Sequence, residues 1–157
     1  KKRCQVSVQA KQTNKPFKSV EIYTSLLQLI HSDTCDLNNV LTHGGKRYFI
    51  TFIDDFSKYC YVYLISHKSE LFDKFKIYKA CVENQLEKKI KILRSNRGRE
   101  YEPIEMEEFC EQHGIIHQRS PPYSPQSNGV AKHKNRTILD MINDMLASSG
   151  LPNNSWG

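Results

Sequence analysis

Two neighbouring runs of aromatic and β-branched residues constrain the fold of this chain more than any other feature. KRYFITFIDD (46–55) and YCYVYLIS (59–66) have the composition of strands, and only FSK (56–58) separates them. A connection this short pairs the two runs as a hairpin. The chain is therefore expected to build a sheet around this hairpin.

The remaining segments alternate between strand and helix patterns. Short apolar runs favour buried strands, whereas apolar residues three and four positions apart favour helices with one packed side. In chain order the predicted elements are strands at 26–33, 89–96 and 115–118, and helices at 69–87, 102–114 and 128–148. With the hairpin included, the order β-β-β-α-β-α-β-α predicts an α/β domain whose mixed sheet is packed by helices. The last helix is expected to bury an apolar side made of Val130, Ile138, Met141, Ile142, Met145 and Leu146.

Composition is typical of a soluble protein of about one domain. The 157 residues can bury a full core, and 38% of them are hydrophobic. No apolar run approaches the roughly 20 residues that a membrane span needs, and the chain does not begin with a signal-peptide pattern, so no membrane partner is expected. The five cysteines are odd in number and include no Cys-x-x-Cys pair, which favours a reducing intracellular location, nuclear or cytoplasmic.

The net charge of +6 and the pI near 9.0 make an anionic partner plausible, although charge alone would also fit an ordinary basic protein. Much of the positive charge falls in 1–18, 88–99 and 132–136. The distribution matters more than the total, because clustered cations favour nucleic acid.

Four longer stretches are distinctive: HSD (31–33), TFIDDFSKY (51–59), LRSNRGREY (93–101) and HGIIHQRSPPYSPQSNGVAKHKNRT (113–137). Together they resemble the integrase core of copia-type retrotransposon Pol polyproteins. The resemblance implies a ribonuclease-H-like fold, a five-stranded mixed sheet flanked by helices, in residues 21–157, with the core cut short at its C-terminal end. It also implies DNA as the partner, homo-oligomers, and DNA integration by metal-dependent strand transfer as the family's role.

Similar integrases hold two Mg²⁺ or Mn²⁺ ions with Asp, Asp and Glu, with thirty-five residues between the last two carboxylates. The matching positions here are Asp33, Asn96 and Lys132, and residues 97–131 preserve that spacing. Asn96 keeps an oxygen but loses the charge, and Lys132 replaces an anionic ligand with a cation. No metal is therefore expected in this copy, and we expect the Lys132 ammonium to occupy the vacated metal position and pair with Asp33.

Two further features bear on metal binding. Asp54, Asp55 and Glu100 are nearby acids that could substitute, but none lies on the helix that must supply the third ligand. Residues 1–20 resemble the end of the family's zinc-binding module and a linker. Since Cys4 has Ser7 where the second cysteine would stand, and structural zinc needs four ligands, zinc is not predicted.

Candidate nucleic-acid contacts come from the basic loop after the fourth strand, from the substrate groove that the resemblance implies, and from the last helix. On that helix Lys132, Asn135 and Arg136 are spaced to share one face, which in the family meets DNA ends. A merely solvated basic face is the alternative. The full set is Arg94, Arg97, Arg99, His117, Gln126, Asn128, Lys132, Asn135 and Arg136.

Three hypotheses follow from these substitutions. The favoured one is a degenerate integrase core that keeps the fold and some nucleic-acid affinity but has lost strand transfer. The second is a non-catalytic module retained for DNA or protein binding. The third is an active enzyme with relocated ligands, so the sequence leaves enzymatic activity uncertain.

Overall fold

The computed structural model describes residues 23, 25–37, 42, 44–121 and 128–150. Their backbone hydrogen bonds define five strands, three α-helices and two short 3₁₀ turns at Lys68–Glu70 and Arg99–Tyr101. The strands are β1 (Leu29–Asp36), β2 (Tyr48–Asp54), β3 (Cys60–Ile65), β4 (Ile92–Ser95) and β5 (Ile116–Arg119). The helices are α1 (Leu71–Leu86), α2 (Ile104–Gln112) and α3 (Gly129–Ser149). The predicted element order is confirmed.

The five strands form one mixed sheet in the order β3-β2-β1-β4-β5. β2 pairs antiparallel with both β1 and β3, as the short hairpin connection predicts. β4 runs parallel to β1 and β5 parallel to β4, because a helix intervenes in each connection. The carboxyl ends of β1 and β4 therefore meet at the same edge of the sheet.

The two faces of the sheet carry different helices. On one face, Phe52 of β2 stacks on Tyr78 of α1 with ring centroids 4.6 Å apart, within a core that also contains residues of α2. Side chains alternate along a strand, so β1 directs Ile30 and Ser32 to this core and Asp33 to the opposite face. There α3 contacts β1 and β2.

The predicted apolar side of the last helix is wrong in part. The buried residues of α3 are Ala131 and Asn135, whereas Met141 and Met145 are 56% and 60% exposed. At 21 residues the helix is about 32 Å long, and β1 and β2 lie under only part of that length. Apolar spacing alone does not reveal where the sheet stops.

No helix among the described residues is long and apolar enough to cross a membrane. The second predicted helix, 102–114, ends at Gly114. This glycine follows α2 with a φ of +65°, a left-handed conformation that favours glycine.

Candidate functional site

Asp33 lies at the centre of the candidate site. It is near the end of β1 and only 6% exposed, on the sheet face that α3 covers. Asn96 directly follows β4, the parallel neighbour of β1, so the fold brings positions 33 and 96 together. Asn135 reaches the same point from the buried side of α3.

Two asparagine amides hold the Asp33 carboxylate. Asn96 donates from Nδ2 to Oδ1 at 2.6 Å, and Asn135 donates from Nδ2 to Oδ2 at 3.3 Å. The carbonyl oxygens of the two amides are also engaged, because Asn96 Oδ1 accepts from the Gly98 N–H at 2.7 Å and Asn135 Oδ1 accepts from Thr51 Oγ1 at 2.7 Å. Since a backbone N–H can only donate, the Gly98 contact fixes which end of the Asn96 amide faces Asp33. We call Asn96 and Asn135 the amide clamp.

The electrostatic environment of Asp33 opposes its ionisation on balance. Burial raises the pKa of Asp33 above its ordinary value, and nearby Glu100 adds to this effect. The Thr34 backbone N–H, the charge of Lys132 and the Asn96 amide act in the opposite direction without cancelling the burial. The site therefore stabilises this carboxylate incompletely.

Lys132 does not pair with Asp33 as the sequence led us to expect. Its side chain is exposed, and among the described residues no ion pair joins the two. Both Asp33 oxygens already accept a hydrogen bond from the amide clamp, so the carboxylate is partly satisfied without an ammonium. An exposed lysine also gains little from fixing its long side chain in one geometry. Lys132 stands at the rim of the site and acts on Asp33 through its charge alone.

The residues present do not fit a two-metal site. A divalent cation bound between positions 33 and 96 would need the oxygen of Asn96, but the amide nitrogen faces Asp33 and the oxygen faces Gly98. The third position is an ammonium. Within the described parts of the chain, no group of three or more His, Cys, Asp or Glu side chains could hold a metal ion.

The other acids of the region have local partners. Asp54 accepts from the Leu27 N–H at 2.8 Å and from Ser57, which closes the β2–β3 turn. Asp55 pairs with His31 at 2.9 Å and Lys58 at 3.0 Å. These contacts indicate a structural role for Asp55.

Three of the candidate nucleic-acid contacts are buried, which corrects their assignment. The His117 ring is 2% exposed and lies between Ser95 Oγ at 2.8 Å and Glu107 Oε1 at 2.9 Å. Asn128 is 1% exposed and donates to the Ser32 carbonyl at 3.3 Å, and Asn135 belongs to the amide clamp. Helical spacing predicts one shared face for Asn135, Lys132 and Arg136. In the structure Asn135 instead faces the sheet and is buried.

The remaining described candidates are cationic and accessible. Arg97, Arg99, Lys132 and Arg136 are exposed, with the last two one turn apart on α3. Arg94 is half-buried on β4. Gln126, Cys4 and Ser7 lie outside the described residues, as does the whole of the predicted 1–20 module.

The spacing of three residues in the sequence indicates which side of α3 carries Asn135, although residue 135 is not one of the family's three metal-ligand positions. Asn128, Ala131 and Asn135 are spaced three and four apart, so they share one side of α3. Because Asn128 and Asn135 are polar, this side of α3 does not form the apolar stripe that predicts a buried face. Only the contact with the sheet shows that it is buried. Thr51, the other partner of Asn135, carried no comparable signal.

Comparison with known sequences decides the family. The profile described as Integrase core domain matches residues 25–125. The chain belongs to the integrase core domain family. The copia-type resemblance is confirmed, since the chain is 40% identical over 157 residues to the Retrovirus-related Pol polyprotein from transposon TNT 1-94 of Nicotiana tabacum.

Other relatives agree with this assignment. The chain is 34% identical over 142 residues, 90% of its length, to the Pol polyprotein from transposon RE2 of Arabidopsis thaliana. It is 31% identical over 131 residues, 82% of its length, to the Transposon Ty1-DR4 Gag-Pol polyprotein of Saccharomyces cerevisiae. The TNT 1-94 match covers 99% of this chain but 12% of that polyprotein, and the other two matches cover 10% and 8% of theirs. The chain thus spans about a tenth of the length of these relatives.

A solved structure confirms the fold of this integrase core. The cryo-EM structure of a simian T-cell lymphotropic virus intasome in complex with PP2A regulatory subunit B56 gamma aligns with a TM-score of 0.66 at 17% identity. The alignment covers 83% of this chain and 46% of that chain. The predicted ribonuclease-H-like fold is confirmed, and at this identity the likeness concerns the fold alone.

Proposed function

We propose that this chain is a retrotransposon integrase core that has lost strand transfer and retains nucleic-acid binding. The observation that carries the proposal is the Asn96 amide, whose N–H group faces the one retained carboxylate, Asp33. The family's role is DNA integration by phosphodiester strand transfer. In this copy the fold and the cationic surface persist without the ligands for that chemistry.

The loss of strand transfer follows from charge and from ligand type. Two divalent cations carry four positive charges, and integrases offset them with three carboxylates. Here Asp33 alone remains of those three, Asn96 is neutral, and Lys132 adds a positive charge. We therefore propose that neither Mg²⁺ nor Mn²⁺ is a cofactor of this copy.

Nucleic-acid binding is supported by cations around the site. Arg97 and Arg99 lie after β4, and Lys132 and Arg136 project from the exposed side of α3. The chain carries a net charge of +6. Such surfaces bind backbone phosphates largely without regard to sequence.

A double reversion tests the catalytic part of the proposal. Asn96→Asp with Lys132→Glu should restore Mn²⁺ binding, seen as a metal-dependent rise in melting temperature and as strand transfer on a labelled DNA end. Asn84→Asp with Lys88→Glu changes the charge equally at exposed positions and should show neither effect. Strand transfer by the unmodified chain in Mn²⁺, abolished by Asp33→Ala, would instead establish an active enzyme with relocated ligands.

Salt-dependent binding to duplex DNA tests the second part. We expect log K to fall steeply as log salt concentration rises, because each neutralised phosphate releases counterions. A flat response would remove the DNA-binding assignment. It would favour a protein-binding module, for which the exposed Met141 and Met145 on α3 are the supporting observation. Homo-oligomers and a nuclear or cytoplasmic location belong to the same proposal.

A further inference from the structure

Arg94 lies on the same sheet face as the vacated metal site but beyond the cover of α3. It is two residues before Asn96, and side chains two apart in a strand share a face. Its strand neighbours are His31 on β1 and Gln118 on β5. Among the described residues, α3 makes its main sheet contacts with β1 and β2, and the Tyr23 ring lies over Arg94 with its centroid 5.9 Å from the guanidinium carbon.

The Arg94 guanidinium lacks a counterion among the described residues. Its Nε and Nη2 donate to Gln118 Oε1 at 3.2 and 2.9 Å, and this acceptor is a neutral amide. Arg119 nearby differs, since Glu107 neutralises it. The Tyr23 ring 5.9 Å away stabilises this cation in part but carries no charge. The edge of the guanidinium that does not face Gln118 keeps donors that an anion could accept from.

A cavity of about 360 Å³ adjoins this guanidinium. It is lined by Arg94, Gln118, Arg119, Ser120 and Pro121. The Ser120 hydroxyl is buried and has no hydrogen-bond partner in the described part of the chain. Since a water molecule occupies roughly 30 Å³, the cavity has room for a phosphate group and several waters.

A second cation stands close to this cavity. Arg97 donates from Nε to the Ser120 carbonyl at 3.1 Å, and its side chain is exposed. In the described residues, no carboxylate pairs with Arg97 either. Arg97 therefore contacts Ser120 directly, and Arg94 lines the same cavity as the unsatisfied Ser120 hydroxyl.

We propose that this cavity binds a phosphate of a nucleic-acid backbone, with the free edge of the Arg94 guanidinium as a two-pronged donor and the Ser120 hydroxyl as a third donor. Planar guanidinium forks match phosphate oxygens in this way. The assignment of the phosphate to nucleic acid rests on the proposed function. Since Arg94 lies two residues before Asn96, a nucleic-acid strand bound across the sheet at Asn96 would pass close to this cavity.

The test measures two responses in Arg94→Gln, with Lys88→Gln as a control that removes one charge from an exposed position on the connection between α1 and β4. The first is DNA affinity by fluorescence anisotropy over a salt series. Arg94→Gln should lose about tenfold in affinity and about one unit of salt slope, while Lys88→Gln changes little. The second is the rise in melting temperature on adding inorganic phosphate at constant ionic strength, which should disappear only in Arg94→Gln.

Each outcome decides the proposal. Equal losses in the Arg94 and Lys88 variants, or no loss in either, would overturn it as an effect of net charge alone. A phosphate response that depends on Arg94 without a change in DNA affinity would overturn the nucleic-acid assignment and indicate a free phosphate ester. If the unmodified chain binds no DNA but keeps the Arg94-dependent phosphate response, the proposed function fails and the anion site stands. Arg94→Lys keeps the charge but lacks the paired guanidinium donors, so it should lose an intermediate amount of DNA affinity. An intermediate value also shows that the loss in Arg94→Gln does not come from a folding defect.

Discussion

At position 96 the difference between an amide and a carboxylate decides what the site can do. A carboxylate beside Asp33 would create two like charges in a buried place, which a metal ion must offset. The Asn96 amide instead donates to Asp33 at 2.6 Å and accepts from Gly98 at 2.7 Å, so every polar atom of this contact has a partner. Asn96 is therefore a hydrogen-bond partner of Asp33.

Reverting this residue alone should destabilise the fold. Asn96→Asp replaces the 2.6 Å hydrogen bond with two carboxylates in contact, which should cost about 1–3 kcal/mol of the free energy of unfolding at pH 7 in the presence of EDTA. Urea denaturation measures the loss. Asn84→Asp, with the same charge change on the exposed side of α1, should stay within about 0.5 kcal/mol of the parent. Equal stability of the two variants would contradict the role given to the Asn96–Asp33 contact.

Among the elements, α3 depends on polar contacts for its attachment to the sheet. It buries Ala131 and Asn135, and Asn128 at its N-terminus donates to the Ser32 carbonyl at 3.3 Å. α1 is instead fixed by the aromatic core and by a buried charge cluster at its C-terminal end. There Glu83 accepts from Lys79 at 2.8 Å and from the Ile90 N–H at 2.9 Å, which ties the helix to the segment before β4.

Removing the α3 contact should loosen that helix selectively. Asn135→Ala removes the hydrogen bond that Asp33 Oδ2 accepts and the shorter of the two that Thr51 Oγ1 makes, so we expect a loss of about 1–2 kcal/mol in the free energy of unfolding. Hydrogen exchange of the α3 amides should accelerate more than that of the β1 and β2 amides. The exposed Asn143 on the same helix provides the control, and Asn143→Ala should leave both measurements nearly unchanged.

The Glu83 cluster should be the more costly one to break. Glu83→Gln leaves the buried Lys79 ammonium without its carboxylate, and breaking such a pair costs about 3 kcal/mol. Asp73→Asn removes a comparable but exposed ion pair with Lys76 on the same helix and should cost less than about 0.5 kcal/mol. Similar urea midpoints for the two variants would show that burial of the cluster does not matter.

At the scale of the whole molecule, buried titratable groups set how stability depends on pH. Burial lowers the pKa of both His31 and His117, so these rings bind a proton less readily in the fold than in the unfolded chain. Burial would raise the pKa of Asp55 and of Glu83, but hydrogen bonds from Lys58 and His31, and from Lys79 and Ile90, lower both pKa values. All four groups therefore favour the fold at neutral pH over acid pH, and Asp33, with its raised pKa, acts in the opposite direction.

The histidine contribution gives a pH prediction with a definite sign. A lowered histidine pKa contributes stability that is present above the unfolded pKa of about 6.5 and is lost as the pH falls towards the folded pKa. Each buried ring can add at most about 1.4 kcal/mol per pH unit to this loss. Urea denaturation from pH 7.5 to 5.5 should show a shallower slope for His117→Gln than for the parent, while the exposed His113→Gln should keep the parent slope. A His117→Gln slope equal to that of the parent would contradict a neutral buried ring.

The sequence by itself determined the element order, the mixed sheet and the family. These depend on local periodicity and on motifs that fold as neighbours, such as the hairpin at 46–66. Only the tertiary structure decided that Asn135, 102 residues from Asp33, turns inward to hold it, and that the His117 ring is buried while Arg94 lines an open cavity. The physical reason is that a side chain's role depends on which face of the sheet it meets and on what covers that face. Helical or strand spacing fixes the direction of a side chain relative to its own element, but it does not fix which residue of another element that side chain contacts.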